Sequence, residues 1–153
     1  RFVTVCTDLF VLCKVDCEST FYPGDLHLNN MFFDFPSGKL MVIDPRGELY
    51  GHWLYDLAKL THSFIGKFDF IDAKLVNNNY RNAKVYSAGT EKLERYFVKE
   101  MYSKLTKNEV KLVYKITTSL FASMQPLHKD HPDKNYYFEE TFIFFNKLAE
   151  IVE

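Results

Sequence analysis

Three polar side chains in the first third of the chain have types and spacing that could do chemistry together. Asp25 and Asn30 precede a predicted β-hairpin, and Asp44 follows it. A hairpin brings its two outer ends together, so the two carboxylates and the carboxamide can converge on one point. Such oxygen donors suit a hard cation such as Mg²⁺. They also suit phosphoryl transfer, in which one Asp orients and deprotonates a hydroxyl while the other Asp and the Asn hold metal on the phosphates.

A plainer interpretation of the same residues is also open. Asp and Asn beside strands are common turn and capping residues, because their side chains hydrogen-bond nearby backbone groups. Spacing alone therefore leaves a catalytic role and a turn role as alternatives for Asp25, Asn30 and Asp44.

The hairpin that would position these side chains is predicted from two short apolar runs. The runs cover residues 31–33 and 40–43, and residues 34–38 between them have turn chemistry. Pro23-Gly24 marks a break before the hairpin, and Pro45, Gly47 and Gly51 predict a loop after it.

The remainder of the chain has the apolar periodicity of helices. We predict helices over residues 2–17, 53–65, 91–105, 108–126 and from Pro132 or Asp133 onward, with a short helix ending at the turn Asn77-Asn78-Asn79. Thr90 and Asn108 are the expected N-caps of two of them. The expected core stripes are Leu112, Ile116, Leu120 and Met124 on one helix and Phe138, Phe142, Phe145 and Leu148 on the last.

Composition restricts the class of protein. The 153 residues are 47% hydrophobic and 25% charged, which is enough apolar material for one folded domain over residues 1–153 and excludes wholesale disorder. The net charge of -1 gives no electrostatic footprint for nucleic acid, and no apolar run is long enough to span a membrane. We expect an α+β fold that is mostly helical, with one small hairpin and five to six helices.

The cysteines indicate a cytoplasmic protein. Cys6, Cys13 and Cys17 are odd in number, which argues against a disulfide framework. Their spacing places them on one face of the first predicted helix, as small core residues. A metal site is the alternative, and its fourth ligand would have to be His27, beyond a turn.

Residues 24–30, followed by Ile43-Asp44, resemble the catalytic and metal-binding segments of the aminoglycoside phosphotransferase and choline kinase family. Its members are small-molecule kinases with a protein-kinase-like fold. The family loop contains Asp, four residues and Asn, then a hairpin and Ile-Asp, as found here. Asp56-Leu57-Ala58 resembles the start of the family's next helix, and residues 43–47 resemble a bacterial branch associated with capsule and surface polysaccharides. The likeness covers residues 20–148, with its specific part at 22–60.

The resemblance implies a role for each matching residue. Asp25 would be the catalytic base, and Asn30 and Asp44 would hold Mg²⁺ on ATP or another nucleoside triphosphate. Asp56 would be structural and would accept backbone N–H bonds from the catalytic loop. The acceptor would be a hydroxyl of a small polar molecule, with a sugar or glycan precursor favoured.

Four residues near the motif carry open alternatives. His27 could contact phosphate or substrate, or it could be a hydrogen-bonded loop histidine. Arg46 could bind a phosphate or an acidic substrate with its guanidinium fork, or form an internal salt bridge. Trp53, with Tyr50, could line a substrate pocket or pack under the loop.

Two departures from the family pattern matter. Pro23 stands where the family has the His that braces the loop, which leaves open a pseudokinase-like module that binds nucleotide or a partner without catalysis. The family's N-terminal lobe, with its phosphate-covering loop and strand Lys, has no counterpart here, and the chain does not begin with Met. We therefore expect a C-terminal catalytic lobe that is inactive without that N-terminal lobe. A helical interaction domain whose acidic residues only form turns is a further alternative.

Overall fold

The computed structural model describes residues 20–21, 23–46, 50–73, 84–132 and 134–152. The strands are β1 (Thr20–Phe21), β2 (Met31–Asp34), β3 (Lys39–Val42) and β4 (Tyr50–Gly51). The α-helices are α1 (Trp53–Phe64), α2 (Phe68–Asp72), α3 (Lys84–Lys104), α4 (Lys107–Leu127) and α5 (Lys134–Val152), and Leu28–Asn30 form one turn of 3₁₀ helix. The described part of the chain is thus mostly helical with a small hairpin, as the sequence predicts.

The predicted hairpin is confirmed as the antiparallel pair β2–β3. Met31 lies opposite Val42 and Asp34 opposite Lys39, and Gly38 takes a left-handed conformation (φ 66°) in the turn. A second antiparallel pair joins β1 to β4, with Thr20 opposite Gly51. The β1–β4 pair therefore holds the segments before and after residues 23–46 together, so that these residues form one closed loop system.

Helix α1 connects this loop system to the core. It begins where the His52 side chain accepts a hydrogen bond from the backbone N–H of Leu54, with Asp56 in its first turn. Its buried face packs on α4, where the hydroxyl of Thr117 donates to the backbone carbonyl of Ala58 at 3.2 Å. The helix that presents polar groups to the loop is therefore anchored on its other side.

The apolar core lies between α1, α4 and α5, with contributions from α2 and α3. The buried side chains are Leu54, Ala58, Ile65, Ile71, Met101, Val110, Val113, Tyr114, Leu120, Phe121, Tyr137 and Phe144. Within it the Phe121 ring stacks on Phe144 at a centroid distance of 5.5 Å. This aromatic packing gives the site a rigid base.

Two of the predicted helix starts are wrong. Helix α3 begins at Lys84, so Thr90 lies inside it and is not its N-cap. Helix α4 is capped by Thr106 rather than Asn108: the Thr106 hydroxyl accepts from the backbone N–H of Glu109, and the Glu109 carboxylate accepts from the Thr106 N–H. This reciprocal capping box satisfies more free N–H groups than a lone Asn would.

The predicted core stripes are also displaced. On α4, Leu120 is buried, but Leu112, Ile116 and Met124 are only partly buried beside Val113, Thr117 and Phe121. On α5 the buried positions include Tyr137, Glu140, Thr141 and Phe144, while Phe138 and Phe142 are about half exposed and contact each other edge to face. Both faces of α5 carry aromatic rings at helical spacing, so only the packing against α4 selects between them.

Several sequence predictions lie outside the described residues. These are the helix over 2–17 with its three cysteines, and the turn at Asn77-Asn78-Asn79. The helix predicted over 53–65 is confirmed, and within residues 67–80 the described helix is α2. Among the helices that are described, none combines the length and the apolarity that crossing a membrane requires.

Gly66 sits in a space that admits no side chain, which predicts a large effect of Gly66→Ala. An added methyl group would overlap the ring of Phe121 and lie 2.8 Å from the carbonyl oxygen of His62. Phe121 is fully buried and cannot swing away. We expect a loss of about 1–3 kcal/mol in the free energy of unfolding, measured by urea denaturation.

The control for this variant is Gly38→Ala, which adds the same methyl group where no atom lies within 4 Å. Its cost comes only from the left-handed backbone, about 1 kcal/mol, and falls on an exposed turn. A Gly66→Ala protein as stable as the wild type would contradict the packing described here.

His62 is a fully buried titratable group, and it predicts a pH-dependent stability. Its ring stacks on Phe68 at 4.3 Å and packs against Phe121. Burial holds the pKa of His62 well below 6.5; Lys59 and His27 lower this pKa further, and Asp69 opposes them. The unfolded chain therefore takes up a proton before the folded one does. We expect stability to fall as the pH drops below about 6.5, by up to about 1.4 kcal/mol per pH unit.

Urea denaturation at pH 7.5, 6.5 and 5.5 tests this, with His62→Leu as the comparison. The pKa of His27 is raised, so its contribution to stability is fully present below pH 6.5 and does not change with pH there. The pKa of Asp69 is lowered from 3.8, so its contribution is lost only in stronger acid. Equal slopes for wild type and His62→Leu between pH 6.5 and 5.5 would show that His62 is not the responsible group.

Candidate functional site

The loop from Pro23 to Asn30 is held by polar side chains of α1. Asp56 is buried in the first turn of that helix, and its Oδ1 accepts the backbone N–H of Leu26 at 3.4 Å. Burial raises the pKa of Asp56, and hydrogen bonds from the backbone N–H groups of Gly24 and Leu26 oppose that rise. The structural role predicted for Asp56 is confirmed by this contact.

Two further side chains fix the second half of the loop. The hydroxyl of Ser63 accepts the backbone N–H of Leu28 at 3.2 Å, and Oδ1 of Asp69 accepts that of Asn29 at 3.0 Å. Burial alone would raise the pKa of Asp69, but hydrogen bonds from His27, Ser63 and the Asn29 amide together lower it. The loop amides thus meet preformed acceptors, which sets the loop's shape before any ligand arrives.

His27 lies between two carboxylates. Its Nδ1 is 3.1 Å from Oδ1 of Asp69, and its Nε2 is 3.6 Å from Oδ2 of Asp25. The hydrogen bond to Asp69 raises the pKa of His27, while burial opposes it and Asp25 adds to the rise. The structure therefore gives His27 the contacts of a hydrogen-bonded loop histidine whose second nitrogen faces Asp25.

Asp25 is paired with a lysine that sequence analysis did not predict. Its Oδ1 lies 2.7 Å from Nζ of Lys59, and its side chain keeps 31% of its surface exposed. Lys59 is mostly buried at 13%. In space, Asp69, His27, Asp25 and Lys59 therefore follow one another as alternating acidic and basic side chains, and the Asp25 carboxylate is the most exposed of the four.

Asn30 and the segment around Asp44 close against the same loop. Asn30 is buried, and its side-chain amide donates to the backbone carbonyl of Asp25 at 3.0 Å. The N–H of Ile43 donates to the Asn30 carbonyl, and the N–H of Arg46 donates to the Pro23 carbonyl at 2.9 Å. Asp44 is therefore held between two backbone bonds that reach both ends of the loop.

Asp44 adopts a left-handed backbone conformation with φ of 53°. Asp is one of the few residues besides Gly that tolerates this region, because its short side chain can bond locally. Unusual backbone of this kind clusters at functional sites, where the surrounding structure enforces it. Here the two flanking hydrogen bonds provide that enforcement.

Arg46 makes neither an ion pair with a carboxylate in the described part of the chain nor a contact with the loop side chains. Its Nη1 donates to the Tyr55 hydroxyl at 2.6 Å, and its guanidinium lies 5.6 Å from the centre of the Tyr55 ring. Of the two alternatives for Arg46, the internal salt bridge is not found among the described residues, where Arg46 contacts Tyr55 instead. Arg46 remains exposed at the edge of the site.

Sequence analysis did not predict that Lys59, Ser63 and Asp69 contact the loop. Lys59 and Ser63 follow Asp56 by three and seven residues, which places all of them on one face of α1. That face was therefore predictable as polar and loop-facing. Asp69 had no such signal, because its position depends on the left-handed turn at Lys67 between α1 and α2.

Comparisons with protein-family models, with curated proteins and with solved structures found no match to the chain. Function is therefore inferred from the geometry of Asp25, Asn30 and the segment containing Asp44.

Proposed function

We propose that the chain carries the catalytic centre of a small-molecule phosphotransferase, which moves the γ-phosphoryl group of ATP or another nucleoside triphosphate to a hydroxyl. The observation that carries the proposal is the setting of Asp25. Its carboxylate is fixed by Lys59 in a loop whose two ends are tied by backbone bonds to the segment containing Asp44. These bonds support the proposal because, with the bond from the Asn30 side chain to the Asp25 carbonyl, they link the backbone of the three motif segments.

Each residue has a defined task in this proposal. Asp25, which is partly exposed, orients the acceptor hydroxyl and takes its proton. Asn30 and Asp44 offer an amide oxygen and a carboxylate, a donor set that fits Mg²⁺ bound mainly through substrate phosphates and water. The cation, when bound, would neutralise charge on those phosphates. His27 and Asp69 keep the loop in shape between them.

The acceptor is proposed from the resemblance of residues 43–47 to a capsule-associated branch of the kinase-like family. A sugar or glycan precursor with a free hydroxyl fits that resemblance. Arg46, exposed at the edge of the site, is available to an acidic group on such an acceptor. Because the proposed donor is a cytoplasmic metabolite, we place the reaction in the cytoplasm.

A nucleotide- or partner-binding module without catalysis is the second candidate. Pro23 favours it, since the family's loop-bracing His is missing. The ion pair of Asp25 with Lys59 also favours it, because an acceptor hydroxyl would have to share the carboxylate with an ammonium group 2.7 Å away. The Oδ2 atom of Asp25, which lies 3.6 Å from Nε2 of His27 rather than against the ammonium group of Lys59, is the place where a hydroxyl would compete best.

The experiment that separates the two is an acceptor screen with γ-labelled ATP. It uses the protein as its gene encodes it, since the resemblance implies a further lobe over the nucleotide. Sugars and amino alcohols are offered with and without Mg²⁺. A labelled, Mg²⁺-dependent product supports the phosphotransferase, whereas nucleotide binding with no acceptor labelled would replace it with the binding module.

A further inference from the structure

A groove lies between the first turn of α1 and the first turns of α4, and none of its lining residues belongs to the 23–30 loop. Its volume is about 320 Å³, and Leu54 and Leu112 contribute its apolar lining. The groove is at the small end of the range for small-molecule sites, roughly 300–1,000 Å³. We call it the Trp53 groove.

An aromatic surface forms one wall of the Trp53 groove. The Trp53 side chain is 42% exposed, and its ring stacks on the His52 ring at a centroid distance of 6.2 Å and an angle of 22°. His52 is itself held, because its Nδ1 accepts the backbone N–H of Leu54. One face of the Trp53 ring is therefore fixed against His52, and the other face is exposed to solvent and available for stacking with a ligand.

The opposite wall carries positive charge. Lys111 and Lys115 line the groove one turn apart on α4. Within the described ranges neither lysine forms an ion pair, and like charges at this spacing repel each other. Glu109, which also lines the groove, already accepts the N–H and hydroxyl of Thr106 in the capping box. An anion between the two lysines would relieve their repulsion.

We propose that the Trp53 groove binds a monosaccharide ring that carries one anionic substituent, either a phosphate or a carboxylate. The C–H face of the sugar ring packs on Trp53, and the anion lies between Lys111 and Lys115. The side-chain amide of Asn108, which also lines the groove from α4, forms a hydrogen bond with a hydroxyl of the sugar ring. One sugar ring with one charged group matches the volume of the groove better than a nucleotide does.

The proposal does not depend on phosphoryl transfer. The Trp53 groove is lined by residues at the start of α1 and on α4, whereas Asp25 pairs with Lys59 and its loop is held by Asp56, Ser63 and Asp69, none of which lines the groove. Binding in the groove is therefore measured directly, by fluorescence and calorimetry on the protein as its gene encodes it, with no activity assay.

The test uses the fact that Trp53 is the only tryptophan of the chain. Its fluorescence is titrated with glucuronate and with glucose 6-phosphate, and with glucose, inorganic phosphate and ATP for comparison. We expect a saturable change with at least one of the two anionic sugars, at concentrations at least tenfold lower than for glucose or inorganic phosphate. The preferred anionic sugar identifies the substituent as carboxylate or phosphate.

Variants assign the response to the groove. Lys111→Gln with Lys115→Gln is expected to weaken binding at least tenfold, while Lys92→Gln with Lys99→Gln, an equal charge change at exposed positions of α3, leaves it unchanged. Trp53→Ala, measured by titration calorimetry, should also weaken binding at least tenfold. Circular dichroism checks that each variant keeps the helical fold.

Three results would overturn the proposal. The first is the absence of a saturable response to either anionic sugar. The second is undiminished binding in the double lysine variant or in Trp53→Ala. The third is tighter binding of ATP than of the anionic sugars, which would make the Trp53 groove a nucleotide site instead.

Discussion

Asp25→Asn is expected to lower phosphoryl-transfer turnover by about a hundredfold or more, with little change in nucleotide affinity. The amide keeps the size and the hydrogen-bonding reach of the carboxylate, but it cannot take the proton of the acceptor hydroxyl, and general-base effects are of this order. Asp25 is also the partly exposed carboxylate of the loop. Turnover is measured with the best acceptor from the screen and nucleotide affinity by calorimetry.

The matched control is Asp72→Asn, the same chemical change at an exposed position near the end of α2. Because Asp25→Asn deprives Lys59 of its carboxylate partner, the free energy of unfolding is measured for both variants, so that a loss of folded protein is not counted as a loss of catalysis. If Asp25→Asn turns over as fast as the wild type, Asp25 is not the base.

Asp44→Asn is expected to weaken nucleotide binding in Mg²⁺ at least tenfold. A hard cation prefers charged oxygen ligands, so replacing the carboxylate with an amide removes most of the attraction. The left-handed backbone at residue 44 suits Asn as well as Asp, so the local fold should persist. Calorimetric titrations with Mg²⁺, with Mn²⁺ and with chelator measure the effect.

The control for this variant is Asp34→Asn, at the turn end of the same hairpin. It changes the same charge on the same element but leaves the ends of the hairpin untouched. A wild-type protein that binds nucleotide equally well with and without metal would remove Asp44 from the metal site.

The parts of the structure that follow local rules were predictable from the sequence. The hairpin follows from two apolar runs around a turn. The backbone of Asn30 meets the segment before Asp44 for the same reason, because the hairpin joins its two outer ends. The loop-holding role of Asp56 was instead expected from the family resemblance, and the structure gives it the hydrogen bond to Leu26.

The remaining features depend on packing that no local pattern encodes. Asp69 reaches the loop only because the chain turns at Lys67, which has a positive φ without being Gly. The buried face of α5 is chosen by its fit to α4, since Phe138 and Phe142 offered an equally periodic stripe. The pairing of Lys59 with Asp25 likewise required the loop and α1 to be placed together.

In the proposed phosphotransferase, Asp25, Asn30 and Asp44 form one site around a nucleotide-bound cation. Anomalous diffraction from crystals grown with Mn²⁺ and a non-hydrolysable ATP analogue tests this directly. We expect an anomalous peak within coordination distance of the Asn30 amide oxygen and the Asp44 carboxylate, with the Asp25 carboxylate facing the γ-phosphate. A nucleotide bound elsewhere, or a cation that neither Asn30 nor Asp44 touches, would contradict it.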